Sequence, residues 1–257
     1  MVDHFCLDLL EQGVTCWNAW KSAHPHVKAD FREANLRGMS LAGVDLSGAD
    51  LKGADLYAAS LQEADLRGTD LEGAILCDAE LSFAHASRAN LSNVDLSGVD
   101  LSAADLREAN LKGVNAGEVE YLLEEGRGIE LFFGTVDFRK ALLSGADLSE
   151  AHLQGATFRG ADLTETNLGE AWLQGVDFTE ATLHESNFWK AHLINSDCSN
   201  TNLYGANFGE AHLESVHFEN TNLTNVNFQR ATLGEIDFSG ANLSESVFSE
   251  ADSDTRD

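Results

Sequence analysis

The feature that most constrains this chain is a beat of five. From Phe31 to Leu111 every fifth residue is Leu or Phe, with Ala86 the exception among 17 positions. From Phe138 to Phe248 the beat returns over 23 positions, all Leu or Phe except Cys198. A small residue stands two places before nearly every one of them, Met39 being the bulky case. A period of five fits neither the 3.6 of an α-helix nor the 2.0 of a strand. Continued as a helix it would carry the apolar groups around the axis and leave no coherent face. It can instead put one large and one small apolar group on the same side of a short extended piece. Turn-forming residues such as the SG of "LSGAD" and the GE of "LGEAW" then bend the chain before the next piece. Repeated bending closes coils, and coils stack into a solenoid.

The runs "LSGADLKGADL" and "ATFRGADLTETNL" resemble the pentapeptide-repeat family, whose motif is A(D/N)LXX, and the resemblance covers most of the chain. It implies an all-β solenoid, a right-handed quadrilateral β-helix with four pentapeptides per coil. The 40 repeats then make about 10 coils, and at roughly 4.8 Å per coil the stack is about 45–50 Å long. In the second run the central residues alternate Leu and Phe, as in Leu203, Phe208, Leu213, Phe218. A period of ten in a four-sided coil places Phe on two opposite sides, where rings can stack along the axis.

The expected organisation is an N-terminal helical cap over 1–28, a first repeat block over 29–113, a non-repeat helix or loop over 114–135, a second block over 136–250 and a polar tail over 251–257. Residues 3–12 space Phe5, Cys6, Leu9 and Leu10 on one helical face, with Gly13 as C-cap. Phe5, Leu9, Trp17 and Trp20 are the expected cap over the first coil's open edges. Cys6 and Cys16 are close enough in sequence to bridge across that cap, although a reducing cytosol disfavours a bridge. Leu111 and Phe138 are 27 residues apart, so the register is lost and restarted. "AGEVEYLLEEG" reads as a short helix with Val119, Leu122 and Leu123 facing inward. The segment is expected to plug or bracket two stacks with different cores, the alternative being a projecting loop that touches a partner.

Sixteen basic and 43 acidic residues give a net charge of −27, which repels nucleic acid and anionic membranes and leaves a basic partner or a DNA-binding site as electrostatic matches. Fifteen Asp occupy the place just before a central residue, fourteen before Leu or Phe and Asp197 before Cys198, so much of the acidity belongs to the repeat. No apolar run reaches the length of a bilayer span, and the acidic N-terminus does not read as a signal peptide; a cytoplasmic protein is expected. No nucleophile motif, phosphate loop or zinc spacing is present, and a filled β-helix leaves no interior pocket. Catalytic residues, metal ligands and cofactors are therefore none in this reading.

With residues 20 apart stacked, Glu150, Glu170, Lys190, Glu210, Arg230 and Glu250 form a charged column. Another column holds His152, Trp172, His192 and His212. Together with Trp189 and Ile194 these are large or aromatic groups at outward positions, and they are the candidate partner-binding residues. The function expected is a non-enzymatic protein–protein interaction scaffold. The alternative, implied by the resemblance, is a DNA-mimicking, gyrase-binding protein of the quinolone-resistance type. Two departures tell against gyrase as partner: those proteins dimerise through a C-terminal helical module not seen in "VFSEADSDTRD", and the acid here is spread over both blocks.

Overall fold

The computed structural model describes residues 4–115, 120–122, 129–131 and 136–252. The residue before each central Leu or Phe forms a parallel bridge with its counterpart 20 residues later: Asp30 with Asp50, Asn35 with Asp55, Ser40 with Ser60 and Asp45 with Asp65. Four bridged sides therefore make one turn of a β-helix. We name the sides by their central residues in the turn that begins at Val136: the Phe138, Leu143, Leu148 and Leu153 sides. Among the described residues, bridges lengthen into strands only on the Leu153 side, in a parallel set of His192–Ile194, His212–Glu214 and Thr232–Gly234.

Each side is built the same way. The central Leu or Phe and the small residue two places earlier are buried along the whole stack, except near its C-terminal end. The residue before the centre is Asp or Asn because its side chain completes the turn. Asp95 Oδ1 accepts from the Ser97 N–H at 2.9 Å, and Asp137 Oδ1 from the Arg139 N–H at 2.8 Å. The second turn residue is left-handed, with φ of 67° at Gly48 and 60° at Glu170. On the Leu148 side, Asn227, Asn207, Asn187 and Asn167 each donate an amide hydrogen bond to the residue 20 earlier at 2.9 Å, ending on the Asp147 carboxylate. Inward hydroxyls also find partners: Thr221 Oγ1 donates to the Cys198 carbonyl at 2.8 Å.

The Phe alternation becomes two ring ladders on opposite sides. Phe138, Phe158 and Phe178 stack at 4.7 and 5.1 Å, and Phe218 stacks on Phe238 at 5.6 Å beyond Cys198. Facing them, Phe188, Phe208, Phe228 and Phe248 stack at 4.5, 5.3 and 4.9 Å. The two ladders meet edge to face, as at Phe208 and Phe218.

Helices α1, His4–Glu11, and α2, Val14–Ala23, cover the first coil. Asn18 acts as a stand-in strand: its Nδ2 donates to the Gly43 carbonyl at 2.8 Å and its Oδ1 accepts from the Asp45 N–H at 2.9 Å. Trp17 Nε1 donates to the Asp45 carbonyl, and buried Lys21 to the carbonyls of Val27 and Ser47. Open-edge groups are thereby satisfied. The cap differs from expectation in three respects. Gly13, with φ 109°, serves as N-cap of α2 rather than as a left-handed C-cap of α1. The buried residues of α1 are Cys6 and Leu10; Leu9 is half-buried, and Phe5 is exposed with its ring edge against Trp20. Cys6 and Cys16 form no disulfide: Cys6 is buried in the core and Cys16 is exposed to solvent.

The break does not divide the stack. Asn115 and Asp137 hold successive bridge positions although 22 residues separate them, and the coils on either side bond directly: Asp100 pairs with Asp137, Asp105 with Leu142, Asn110 with Asp147, and Asn115 with His152. A plug between two stacks is excluded by these bridges, so 116–135 is an insertion at one corner of a continuous core. Within it, β1, Glu120–Leu122, and β2, Ile129–Leu131, pair antiparallel, with Tyr121 opposite Glu130. Strand replaces the expected helix at 120–122, where Tyr121 is a β-former and the segment Ile129–Leu131 is at hand as a partner. The inward placement of Val119, Leu122 and Leu123 concerns side chains outside those described.

Candidate functional site

The outer surface repeats a polar formula, so residues that break it are the ones to inspect. At the corner between the Leu148 and Leu153 sides, the Leu153-side bridge column places His152, Trp172, His192 and His212 on successive coils. Trp172 and His192 stack face to face at 4.2 Å and 10°. His152 tilts against Trp172 from one side, and His212 meets His192 edge-on at 6.1 Å. Trp172 remains 43% exposed. The backbone beneath it is fixed by hydrogen bonds to both neighbouring coils, Trp172 N–H to the Ala151 carbonyl and Leu173 N–H to the His192 carbonyl.

Trp189 reaches the same corner from the Leu148 side. Gly169 and Gly209 occupy its position one coil before and one after, and a Cβ at Gly209 would lie 3.6 Å from the indole. Glycine on both neighbours lets the ring lie along the face. Lys190 Nζ sits 4.1 Å above the Trp189 ring and 3.8 Å from Glu210. The charged column expected at this corner is real, with Lys112 bonded to Glu150 at 3.0 Å and Arg230 to Glu250 at 2.7 Å. Ile194 is half-buried on the next turn of the Leu153 side. Five of the six sequence-expected residues thus lie along one corner, a ridge of two indoles and three imidazoles on a hydrogen-bonded ladder, and Ile194 lies past it at the far end of the Leu153 side. Burial, then the neighbouring His212, lower the pKa of His192 below its ordinary value.

Glu214 lies 3.8 Å from His212 Nε2, but among the described residues His192 and His212 belong to no group of three potential metal ligands. Among the described residues one group of three potential metal ligands stands elsewhere: His217, Glu219 and Asp237 on the Phe138 side, with ligand atoms within 4.8 Å of one another. His217 and Glu219 are exposed, and the Asp237 carboxylate already accepts from Ser239 N–H and Oγ. The acids are largely occupied by the fold. Hydrogen bonds from Arg107 hold the Asp105 carboxyl below the usual range against the opposing pull of burial, and Asp65, Asp137 and Asp30 have the same pairing with the Arg two residues on. No helix among the described residues is long and apolar enough to cross a membrane.

Sequence reading missed a second set of formula-breaking residues. Phe83 stands exposed in a left-handed turn position, and Leu142 stands exposed where the repeat elsewhere favours Asp or Asn. Both are visible as departures in "LSFAH" and "ALLSG".

Residues 132–208 match the family described as "Pentapeptide repeat region", and 29–68, 54–93, 87–118, 201–240 and 221–252 match "Pentapeptide repeats (8 copies)". No curated protein matches in sequence. Among solved structures the chain is similar to HetL, a pentapeptide repeat protein involved in heterocyst differentiation regulation from the cyanobacterium Nostoc sp. strain PCC 7120. Identity is 25%, coverage is 91% of this chain and 92% of that one, and the TM-score is 0.67. A pentapeptide repeat protein of the Arabidopsis thaliana thylakoid lumen is 30% identical over 45% of this chain and 68% of that one, with a TM-score of 0.38. QnrB1, a plasmid-mediated fluoroquinolone resistance protein, is 17% identical over 75% of this chain and 88% of its own, with a TM-score of 0.33.

Proposed function

Because the chain belongs to the pentapeptide repeat family, we propose that it is a non-enzymatic interaction scaffold: a right-handed quadrilateral β-helix of about 10 coils that docks a partner protein at the Trp172–Trp189 corner. The observation that carries this reading is the Trp172–His192 stack, held rigid on a surface that is mostly polar and turn-forming. Rigid aromatic groups lose little conformational entropy on binding and dominate interface energetics. His152, Trp189, Ile194 and His212 extend the contact area around them. HetL, similar along nearly its whole length, supports the reading as a protein of this build with a regulatory role. The protein acts in the cytoplasm without cofactor, membrane or direct nucleic-acid contact. Gyrase is the less favoured partner, since the acids are engaged in turns and arginine pairs on all sides rather than arrayed as a phosphate backbone.

Immobilised wild type and Trp172→Ala, compared by the proteins each retains, test the assignment. A hot-spot Trp is worth about 2 kcal/mol or more of binding, so a true partner is depleted some thirtyfold on the variant. Identical retention by Trp172→Ala and Trp189→Ala removes the corner from the interface. A gyrase supercoiling assay tests the other partner: inhibition at sub-micromolar protein would establish DNA mimicry in its place.

A further inference from the structure

At the corner between the Phe138 and Leu143 sides, two sides around the coil from the aromatic ridge, the surface carries a second departure. Phe83 adopts φ 60° and is 59% exposed. Among the described non-glycine residues with positive φ it is the only aromatic; the others are mainly Glu and Asn. A bulky side chain in the left-handed region is strained, and such strain concentrates at functional positions. Here neither the strain nor the exposure is offset by burial.

The neighbours give Phe83 a setting. Along the turn column it lies between Glu63 and Ala103, and the adjoining bridge column runs Asp65, His85, Asp105, Leu142. Leu142 is 39% exposed, and as an apolar residue it forgoes the turn-completing bond that Asp147 makes to Ser149 N–H. Small Ala103 leaves a hollow between the two apolar groups, a cleft of about 430 Å³ lined by Glu63, Phe83, His85, Ala103, Asp105 and Leu142. Its apolar walls are Phe83, Ala103 and Leu142. Its polar atoms include two carboxylates, of which Glu63 forms no ion pair among the described residues.

We propose that this hollow receives a lysine or arginine side chain from a basic segment of a partner protein. The aliphatic stem would lie on Leu142 and Ala103, and the cationic head on the Phe83 ring within reach of the Glu63 carboxylate, Asp105 being held by Arg107. Charge decides the class of occupant. A protein of net charge −27 draws basic partners by long-range attraction, and an aromatic ring beside carboxylates selects a cation that also offers an apolar stem. The proposal goes beyond the aromatic ridge and is independent of it.

The test uses a fluorescein-labelled octapeptide of alternating arginine and leucine, titrated by anisotropy in 0.15 M salt. Phe83→Asn and Leu142→Asn both return the chain to residues the repeat favours and leave its net charge unchanged. Both variants are expected to melt at or above the wild-type temperature yet bind the peptide at least tenfold more weakly, while Trp172→Ala binds it as wild type does. Equal affinity for wild type and both variants would show attraction by overall charge alone and overturn the proposal. So would a lower melting temperature for both, which would make the two residues structural. A dimer in sedimentation velocity that Phe83→Asn dissolves would assign the hollow to a second copy instead.

Discussion

Replacing Phe208 with Ala tests the inward assignment where the structure commits itself most. The ring is fully buried, stacks on Phe188 at 4.5 Å and on Phe228 at 5.3 Å, and meets the edge of Phe218 at 6.0 Å. Truncating a buried Phe costs about 3–5 kcal/mol through lost transfer energy and the cavity left behind. Collapse would lower that figure, but the backbone here has little freedom to collapse. Phe208 N–H bonds to the Asn227 carbonyl at 2.7 Å, and Phe188 N–H to the Asn207 carbonyl at 2.7 Å, which fixes the coils above and below. Three ring contacts, each worth about 0.5–1.5 kcal/mol beyond area in favourable geometry, also vanish. The expected loss is therefore at the upper end, about 4–5 kcal/mol. Urea unfolding followed by far-ultraviolet circular dichroism measures it, with the slope m checked for constancy. Leu213→Ala, equally buried but without ring partners, should lose about 2–4 kcal/mol. A loss below about 1 kcal/mol for Phe208→Ala would mean that the ring ladder is not the core and that the sides have been assigned wrongly.

The two kinds of Trp should separate cleanly. Trp17→Ala removes a fully buried ring and its bond to the Asp45 carbonyl and should cost about 3–5 kcal/mol, whereas exposed Trp172→Ala should cost under about 1 kcal/mol; similar melting temperatures for the two would contradict the cap and the ridge together. Acid should destabilise the protein. Asp105 has a folded pKa depressed by its Arg107 hydrogen bonds, as has Asp237 by its Ser239 hydrogen bonds, so their contribution is complete above the unfolded value of about 3.9 and is lost as pH falls through the folded values. Melting temperatures that stay flat from pH 7 to pH 2.5 would refute these pairings. Thiol titration with Ellman's reagent should find Cys16 reactive in the native protein, Cys6 and Cys198 protected, and all four thiols titratable after denaturation without reductant. Fewer than four would reinstate the Cys6–Cys16 bridge.

How much of this was legible beforehand follows from what a spacing encodes. A five-residue beat encodes direction, which is why the inward columns, the two Phe ladders and the stacking of Trp172 on His192 were all readable. It does not encode which strand lies beside which. Leu111 and Phe138 are out of register along the sequence, and that was read as two stacks; yet pairing is decided by the height of a coil, and Asp100 meets Asp137 as well as Asp30 meets Asp50. An insertion at a corner leaves that height untouched, because a corner carries no bridge. The same reasoning locates function in this fold. Inward positions are constrained by packing, and bridge and turn positions by hydrogen bonds such as Asp95 to Ser97 and Asn187 to Asn167. A residue that abandons one of those bonds or accepts a strained φ gives up stability that the repeat would otherwise supply. Trp172 and Leu142 take bridge positions without a turn-completing oxygen, and Phe83 takes a turn position that glycine, Glu or Asn would fill with less strain. None of the three regains the loss through burial. In a solenoid whose coils share one low-energy formula, such departures are the places to look for contact with a second molecule.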